Sequence, residues 1–220
     1  MIIKPQNTAI TKGVAKSVKD NLDIIKGNVL DYGAGKLRNS LFLSQKEINL
    51  YATDLDVQIL KWEKNEKINF LFLDDLKDYE NFFDVVLLTF VLNVIVEDEE
   101  RIEILENIRK ILKKDGILIL ETRSPKSFTE INKNQEFKDG YIFKKAGSHT
   151  FQKIYEKEEL ENLLSGRFLI LKFRKEKASN VILCRNIKRI KFKVKKIKDH
   201  LLFKKEFTCF GEIIKRINNI

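Results

Sequence analysis

The sequence predicts an α/β fold: a doubly wound, mostly parallel seven-stranded sheet with an antiparallel last strand, in a three-layer αβα sandwich. Five short apolar segments alternate with segments of helical periodicity between residues 28 and 120, and parallel neighbours require such crossover connections. The segment at residues 83–90 is apolar almost throughout, as in strands buried on both faces of a parallel sheet. Two strand-like segments, residues 167–174 and 180–184, are joined by a short polar turn, which predicts an antiparallel pair.

The first elements form a unit of strand, loop and helix. Apolar residues at spacings near 3.6 predict an amphipathic helix over residues 9–25, which Gly27 ends. Residues 28–31 are predicted as an apolar strand, and Tyr-Gly-Ala-Gly at residues 32–35 supplies glycines for a tight turn. The apolar positions of the helix that follows are Leu37, Leu41 and Leu43.

The alternation of strands and helices continues to a fifth strand. In chain order the predicted elements are a strand at 50–53, a helix at 57–62, a strand at 68–72, a helical turn near Leu76, the strand at 83–90, a helix at 97–113 and a strand at 117–120. The helix at 97–113 is amphipathic, because its apolar residues form one stripe with charged residues opposite. Each helix therefore has an apolar face with which to cover the sheet.

The periodic pattern stops after the fifth strand. Residues 123–152 are polar and lysine-rich, and long segments of this kind in a compact domain are usually functional covers or disordered. We expect residues 123–155 to cover a ligand cleft. A helix is predicted at residues 156–164, before the last two strands.

Charge divides the chain into two parts. The net charge is +10, but residues 187–220 hold eleven Lys or Arg against three acidic residues, a charge of +8. We therefore predict one domain over residues 1–186 and a basic C-terminal extension over residues 187–220, whose three-four apolar spacing favours a helix although residues 190–194 also alternate as a strand. The extension has three open roles: packing on the domain or a second subunit, nucleic-acid contact, or contact with an anionic membrane surface.

The composition limits the cellular compartment and the kinds of site that the sequence predicts. No run approaches the roughly 18 apolar residues needed to cross a bilayer, and residues 1–5 lack a signal-peptide pattern. Cys184 and Cys209 are too few for a disulfide scaffold or a zinc knuckle, so we predict no metal site. These features predict a cytoplasmic protein.

Acidic residues at strand ends indicate a cofactor site, because ligands of open parallel sheets bind beyond the carboxyl ends of the strands. Asp31 lies at such an end, beside glycines whose amides can approach a ligand closely. Asp54 follows the second strand, placed to accept hydrogen bonds from a ribose diol or to cap the next helix. An adenosine-bearing cofactor fits this arrangement. Gly35 is not followed by the third glycine of a nicotinamide fingerprint, and the pattern G-x-x-x-x-G-K-[ST] of a phosphate-binding loop is absent.

These residues resemble class I (Rossmann-like) S-adenosylmethionine-dependent methyltransferases. Val-Leu-Asp-Tyr-Gly-Ala-Gly at residues 29–35 is similar to the first motif of that family, D-x-G-x-G, and residues 83–93 and 111–118 are similar to its fourth-strand segment and to the turn before its fifth strand. The resemblance implies S-adenosylmethionine as the cofactor, with two adjacent acids competing for the contact to adenine and a threonine near the reactive sulfonium. The implied cofactor-binding residues are Asp31, Gly33, Gly35, Asp54, Leu55, Asp74, Asp75, Leu76 and Thr89.

The methyl acceptor is the open part of this prediction. The basic extension favours a nucleic acid, RNA or DNA, and a short likeness of residues 8–10 and 91–95 to methyltransferases associated with DNA modification systems points the same way. A small-molecule acceptor under the cover segment, or a non-catalytic protein that binds S-adenosylmethionine, are the alternatives. No catalytic residue is assigned. The candidates for orienting or deprotonating an acceptor are Asn93, Tyr141, His149 and Tyr155.

Overall fold

The computed structural model describes residues 13–127, 135–145 and 148–187. The α-helices are α1 (Lys16–Lys19), α2 (Arg38–Leu43), α3 (Asp56–Ile59), α4 (Asp98–Ile111) and α5 (Lys157–Leu164). The strands are β1 (Asn28–Tyr32), β2 (Asn49–Thr53), β3 (Asn69–Leu71), β4 (Phe83–Thr89), β5 (Leu112–Arg123), β6 (Glu136–Phe137), β7 (Gly140–Lys145), β8 (Ser148–Gln152), β9 (Phe168–Lys175) and β10 (Ser179–Asn186). Short 3-10 helices span Leu73–Asp78, Leu92–Val94 and Pro125–Ser127.

The main sheet has seven strands in the order β3-β2-β1-β4-β5-β10-β9. The five adjacent strands β3, β2, β1, β4 and β5 are parallel to one another. Strand β10 runs antiparallel to both β5 and β9. The predicted seven-stranded, mostly parallel sheet with an antiparallel last strand is confirmed. The chain changes direction across the sheet between β1 and β4, so the carboxyl ends of these strands flank the switch point where such sheets bind ligands.

Two apolar cores lie on opposite faces of the sheet. Val86 and Leu88 of β4 belong to the core that α4 and α5 cover. Val85 and Leu87 of the same strand belong to the core that α1 and α2 cover, which explains why this segment is apolar on both faces. The buried helical side chains of the two cores are, respectively, Leu105, Ile108, Leu160 and Leu164, and Val18 and Leu43. This arrangement is the predicted three-layer sandwich.

The long amphipathic helix predicted at the amino terminus is wrong for the described residues. Helix α1 is a single turn, Lys16–Lys19, and the chain continues in turns to residue 24. The Asn21 side-chain amide donates to the Ser17 carbonyl at 2.6 Å, at the position where the backbone of a continuing helix would donate. The apolar spacing remains useful, because Val18 and Ile25 are buried in the core against the sheet.

The interpretation of residues 123–152 as irregular is also wrong for the described part. Strands β6, β7 and β8 form a separate three-stranded antiparallel sheet, called the meander below. The apolar pattern of these strands is short. Ile142 and Phe151 are buried and pair with each other, whereas lysines occupy neighbouring positions in the sequence. That residues 123–155 cover a ligand cleft stays a prediction.

Buried polar side chains fasten the meander to the main sheet. Arg101 of α4 has a side chain only 1% exposed, and it binds the Asp139 carboxylate between β6 and β7. Lys153 lies 2.8 Å from the same carboxylate, and its backbone amide donates to the Asn93 carbonyl at 2.7 Å. The Asn93 side-chain amide donates in return to the Lys153 carbonyl. These contacts hold the end of β8 beside the chain that leaves β4.

Some predictions fall on residues outside this description. They include the first twelve residues, Cys209 and the basic extension from residue 188 onward, so the helical preference of the extension and the proposed boundary at residue 186 stay predictions. Cys184 is a buried free thiol in the core. Among the described residues, no helix has the length and apolarity that a bilayer span requires, and no cluster of three or more metal-ligating side chains occurs.

Candidate functional site

The glycine turn lies at the switch point and closes against β2 and β4. The backbone amides of Gly33 and Ala34 donate to the Thr53 carbonyl at 2.9 and 3.0 Å, which ties the turn to the end of β2. Gly33 has φ +70°, and a Cβ atom built there would lie 2.4 Å from Cγ2 of Val91. Both the backbone angle and the close approach therefore require glycine at this position.

Gly35 is held by three side chains but leaves space in front of its Cα. Its carbonyl accepts hydrogen bonds from Gln58 Nε2 and Trp62 Nε1, both at 2.8 Å, and its amide donates to Asp54 Oδ2 at 2.7 Å. A Cβ atom on Gly35 would meet no atom of the described residues, other than its chain neighbours, within 4 Å. The turn is thus rigid on one side and open on the other, as a ligand-binding loop requires.

Sequence reasoning missed Gln58 and Trp62 as supports of this turn. Their four-residue spacing puts them on one helical face, but α3 ends at Ile59 and that spacing alone does not say what the face contacts. Trp62 is the only tryptophan of the chain, and its indole is bonded to the turn. Its fluorescence therefore reports on the site directly.

Asp54 is held by backbone amides on both carboxylate oxygens. Oδ2 accepts from Gly35 at 2.7 Å and Oδ1 accepts from Leu55 at 2.8 Å. Burial raises the pKa of Asp54, and these two hydrogen bonds oppose the rise. The N-cap position of α3 is occupied by Leu55, whose side chain makes no capping hydrogen bond. The alternative that Asp54 is the N-cap of this helix is therefore wrong. The ribose contact stays a prediction.

Asp31 is completely buried at the end of β1. Its Oδ2 accepts a hydrogen bond from the Ser40 hydroxyl at 2.7 Å, whereas Oδ1 has no hydrogen-bond partner among the residues that the structure describes. Burial raises the pKa of Asp31, and the Ser40 hydroxyl opposes the rise. A buried carboxylate oxygen of this kind is costly by itself and is suited to a donor brought by a ligand.

We expect Asp31→Asn to stabilise the protein at pH 7 while weakening cofactor binding by about 10-fold or more, the effect of losing a charged hydrogen-bond acceptor. The folded state binds a proton at Asp31 more tightly than the unfolded state does, so wild type carries a penalty above the raised pKa. This penalty disappears as the pH falls to about 4, which is the ordinary pKa of an aspartate side chain. Thermal unfolding at pH 4 and pH 7 should show the advantage of the variant at pH 7 alone, and an equal advantage at both values contradicts this account.

The two acids after β3 have different positions. Asp75 Oδ2 accepts from the backbone amide of Phe72 at 3.1 Å, so Asp75 caps the 3-10 helix that follows. Asp74 is exposed in the first turn of this helix and is the remaining acidic candidate for an adenine contact. Leu76 is 6% exposed and packs in the apolar core, whereas Leu55 is 40% exposed. Asp74 and Leu55 therefore have exposed side chains, and their contacts with a cofactor stay a prediction.

Thr89 and Asn93 at the end of β4 are bonded within the protein. The Thr89 hydroxyl is buried and accepts from Asn39 Nδ2 at 3.0 Å. Asn93 is fully buried, and its Oδ1 accepts from the Arg123 amide at 3.1 Å. The Tyr155 hydroxyl donates to the Leu92 carbonyl at 3.1 Å inside the core. Asn93 and Tyr155 therefore join β4, β5 and the chain after β8, which is a positioning role.

A buried glutamate at the end of β5 was not foreseen from the sequence. Glu121 is 2% exposed, and its two oxygens accept from the Ser17 amide at 3.1 Å and the Ser179 hydroxyl at 2.8 Å. The amide of Ala15 donates similarly to Asn39 Oδ1 at 3.0 Å. These bonds attach the start of α1 to the carboxyl edge of the sheet. The partners are 24 to 104 residues apart, so no local pattern announces them.

Comparison with known proteins gives a family and several structural relatives. Residues 9–167 match the family described as a methyltransferase domain. The fold is similar to an S-adenosylmethionine-dependent methyltransferase from Methanosarcina mazei, with 18% identity, a TM-score of 0.66, and coverage of 80% of this chain and 99% of that one. It is also similar to a Pyrococcus horikoshii protein at 17% identity and a TM-score of 0.65, covering 78% and 89% of the two chains. No curated protein sequence gives a significant match.

A third relative carries ligands. The fold is similar to the 1,6-didemethyltoxoflavin-N1-methyltransferase of Burkholderia thailandensis, solved with 1,6-didemethyltoxoflavin and S-adenosylhomocysteine, at 18% identity and a TM-score of 0.56. The alignment covers 78% of this chain and 76% of that one. At such identities these likenesses establish the fold, and the family match is the separate finding over most of the chain.

Proposed function

The chain belongs to the methyltransferase domain family, and from this premise we propose that it transfers the methyl group of S-adenosylmethionine to a small molecule bound between the meander and the carboxyl ends of β4 and β5. The cofactor and the class of reaction follow from the family. The proposed position of the acceptor site rests on one observation. The bonds of Asn93 with Lys153, and of Arg123 with Gln152, hold the meander against these strand ends.

The residues at the switch point fit the cofactor. Asp31 Oδ1 offers an acceptor to the ammonium group of the methionine part, and the open space at Gly35 admits the ligand close to the turn. Asp54 and Asp74 are the candidate contacts for ribose and adenine. When bound, the cofactor supplies an activated methyl group on a cationic sulfur, and the chain orients the acceptor towards it. Positioning of this kind can supply much of the rate.

The acceptor must lose a proton when a neutral N–H or O–H group is methylated. The acceptor lone pair forms the new bond to the methyl carbon while the carbon–sulfur bond breaks, and the proton passes to a base or to water. Asn93 and Tyr155 are engaged in structural bonds, and burial raises the pKa of Tyr155. His149 and Tyr141, both in the meander, are the remaining candidate bases. We assign neither of them.

Two structural relatives support a small acceptor. One is described as acting on 1,6-didemethyltoxoflavin, a small molecule, and another belongs to work on converting a disulfide bond into a thioacetal group during echinomycin biosynthesis. Both share the fold with this chain at TM-scores of 0.56 and 0.60. A site that the meander encloses would suit a molecule of that scale better than a duplex.

A nucleic-acid acceptor is the second candidate, and the +8 charge of residues 187–220 favours it. Deletion of residues 187–220 separates the two proposals. A nucleic-acid enzyme should lose salt-sensitive retention of tRNA or DNA together with its activity on them. A small-molecule enzyme should keep its turnover when the extension is removed.

The cofactor proposal is tested by isothermal titration of the full chain with S-adenosylmethionine and S-adenosylhomocysteine, together with Trp62 fluorescence. We expect micromolar binding, weakened about 10- to 100-fold in Asp54→Ala because the carboxylate that holds the turn and faces the ligand is lost. Asp23→Ala removes an exposed carboxylate elsewhere and should bind as wild type. Wild-type protein that binds neither compound overturns the proposed function.

A further inference from the structure

The carboxyl edge of the main sheet carries a row of buried polar side chains on one face. Thr89 of β4 pairs with Glu121 of β5, and Asp31 of β1 pairs with Leu87, two residues before Thr89. Side chains paired across parallel strands share a face, and so do residues two apart in one strand. Asp31, Thr89 and Glu121 are 0, 7 and 2% exposed. They lie in this order along the strand ends, on the face that α1 and α2 cover.

The orientation of the Asn39 side chain is fixed from outside this row. The backbone amide of Ala15 can only donate, and it lies 3.0 Å from Asn39 Oδ1. The nitrogen of the same carboxamide therefore faces Thr89, and it donates to the hydroxyl oxygen of Thr89 at 3.0 Å. Because an amide nitrogen cannot accept, the Thr89 hydroxyl keeps its own proton for another partner.

The Thr89 hydroxyl proton has no acceptor among the residues that the structure describes. Glu121, the partner of Thr89 on β5, accepts instead from the Ser17 amide and the Ser179 hydroxyl. A buried donor without an acceptor is costly in a folded protein. The hydroxyl is therefore suited to an acceptor atom that a bound ligand brings.

Asp31 offers the complementary position on the neighbouring strand. Ser40, the residue after Asn39 on α2, donates to Asp31 Oδ2, and Oδ1 stays without a partner in the described part of the chain. Two consecutive residues of α2 thus leave one acceptor, on Asp31, and one donor, on Thr89. An α-amino acid carries one ammonium and one carboxylate group, which need these two partners.

This edge of the sheet holds charges of both signs. The guanidinium carbon of Arg38 lies 5.5 Å from the ring centre of Phe90, the residue after Thr89. Burial lowers the pKa of Arg38, and the charges of Glu121 and Asp31 oppose this effect. A zwitterionic group suits such surroundings, because it adds no net charge to a buried site that already contains acids and a base.

We propose that Asn39 is a positioning residue for the cofactor, because it holds the Thr89 hydroxyl so that this group donates to the carboxylate of the methionine part of S-adenosylmethionine. The inference rests on the proposed function, in which Asp31 accepts from the ammonium group of the same part. The two side chains together recognise both charged groups of an amino acid. The site therefore distinguishes the cofactor from adenosyl compounds that lack the carboxylate.

The probes are S-adenosylhomocysteine and its decarboxylated form, which differ only in the carboxylate. Isothermal titration of the full chain gives the affinity for each, and the readout is the ratio of the two affinities. Both compounds carry the ammonium group, so any effect of a substitution on Asp31 cancels in this ratio. Thr89→Val replaces the hydroxyl by a methyl group and should lower the affinity for S-adenosylhomocysteine about 10-fold, the scale of a hydrogen bond to a charged group. The decarboxylated form should bind within about twofold of its wild-type affinity.

Two further variants check this assignment. Thr89→Ser keeps a hydroxyl group and should keep the wild-type ratio. Thr122→Val makes the same change as Thr89→Val in a fully buried threonine, which follows Glu121 in β5 and so lies on the opposite face of the sheet. It should also keep the wild-type ratio.

Asn39→Ala tests the positioning role. The Thr89 hydroxyl is then free to turn, so the ratio should fall by about threefold, and adding Asn39→Ala to Thr89→Val should lower it no further. Non-additivity is expected because Asn39 acts through Thr89. A merely structural Asn39 would weaken both compounds equally and leave the ratio unchanged.

Thermal unfolding shows whether each variant is folded, and Thr89→Ala supplies a second variant without the hydroxyl if valine prevents folding. The inference is overturned if the variants without the Thr89 hydroxyl keep the wild-type ratio, since Thr89 then does not bind the carboxylate. It is also overturned if Asn39→Ala keeps that ratio, since Thr89 then needs no positioning by Asn39. Wild-type protein that binds neither compound refutes the proposed function instead.

Discussion

Replacing Gly33 by alanine should weaken S-adenosylmethionine binding by about 100-fold, because small displacements of a positioning loop have effects of that size. A Cβ atom at Gly33 would lie 2.4 Å from Val91 Cγ2, and the residue has φ +70°. The backbone angle costs about 1–2 kcal/mol with a Cβ atom, and overpacking adds about 1–3 kcal/mol. The turn must then move away from β4, which displaces Gly35 and the space beside it where we propose that the cofactor binds. Trp62 fluorescence titration measures the affinity, and urea unfolding measures the stability.

Two variants distinguish the strain of the positive φ from the steric clash with Val91. Gly166→Ala imposes the same φ of +70° at a position where a Cβ atom meets none of the described residues within 4 Å, so it should lose stability while binding the cofactor normally. The double variant Gly33→Ala with Val91→Ala removes the colliding methyl group and should recover most of the affinity. If the double variant binds as weakly as Gly33→Ala alone, the backbone angle and not Val91 accounts for the loss. Normal binding by Gly33→Ala contradicts the placement of the cofactor at this turn.

Replacing Arg101 by methionine should lower the free energy of unfolding by about 3–5 kcal/mol, as for other buried ion pairs that lose one partner. The guanidinium donates to the carbonyls of Ile95 and Val96 at 2.8 and 3.0 Å and binds the carboxylates of Asp98 and Asp139. Methionine keeps part of the apolar stem of the arginine without a donor, so these carbonyls lose their partner. We also expect faster proteolysis within the meander. Asp139 then loses its contact with Arg101 on α4 and keeps the one with Lys153.

The matched control is Arg109→Met on the same helix. Arg109 is paired with Glu106 at the surface, and its loss should cost under about 1 kcal/mol. Urea unfolding of the two variants under one set of conditions gives the difference. An equal, small loss for both would show that the Arg101 network contributes little to stability.

The Arg101 network also predicts a pH dependence. Burial works to raise the pKa of Asp139, but hydrogen bonds from Arg101 and Lys153 outweigh it and hold the pKa at about 2. The stabilisation from this carboxylate is therefore present above about pH 4, the ordinary value, and is lost as the pH falls towards 2. Arg101→Met should flatten this part of the acid unfolding profile.

Much of the fold and part of the site follow from the sequence alone. The continuous apolar run of β4 and the regular alternation of strands and helices predict the sheet, because periodicity reflects which faces are buried. Asp31, Gly33, Gly35 and Asp54 are predicted as cofactor-binding residues because strand ends and turns impose local residue requirements, and this role stays a prediction. The geometry around these four residues agrees with a ligand turn.

Other features required the tertiary structure, because their partners are far apart in the chain. The sequence does not say which of Asp74 and Asp75 makes the capping bond to Phe72, because either residue could have made it. Gln58 and Trp62 look like ordinary helical residues until they are seen on Gly35. The meander was missed because its apolar positions are few and their burial depends on contacts with other elements, such as Phe151 on Arg101.

The amino-acid sequence by itself therefore determined the sheet, the direction of its strands and the glycine turn after β1, because these depend on the burial of near neighbours and on local backbone geometry. Only the tertiary structure decided how the meander is attached to the main sheet. Arg123 contacts Phe90 and Gln152, which are 33 and 29 positions away, and hydrogen bonds and ring contacts over such separations leave no periodic trace in a sequence. Folding brings them together because the meander is fastened to the ends of β4 and β5.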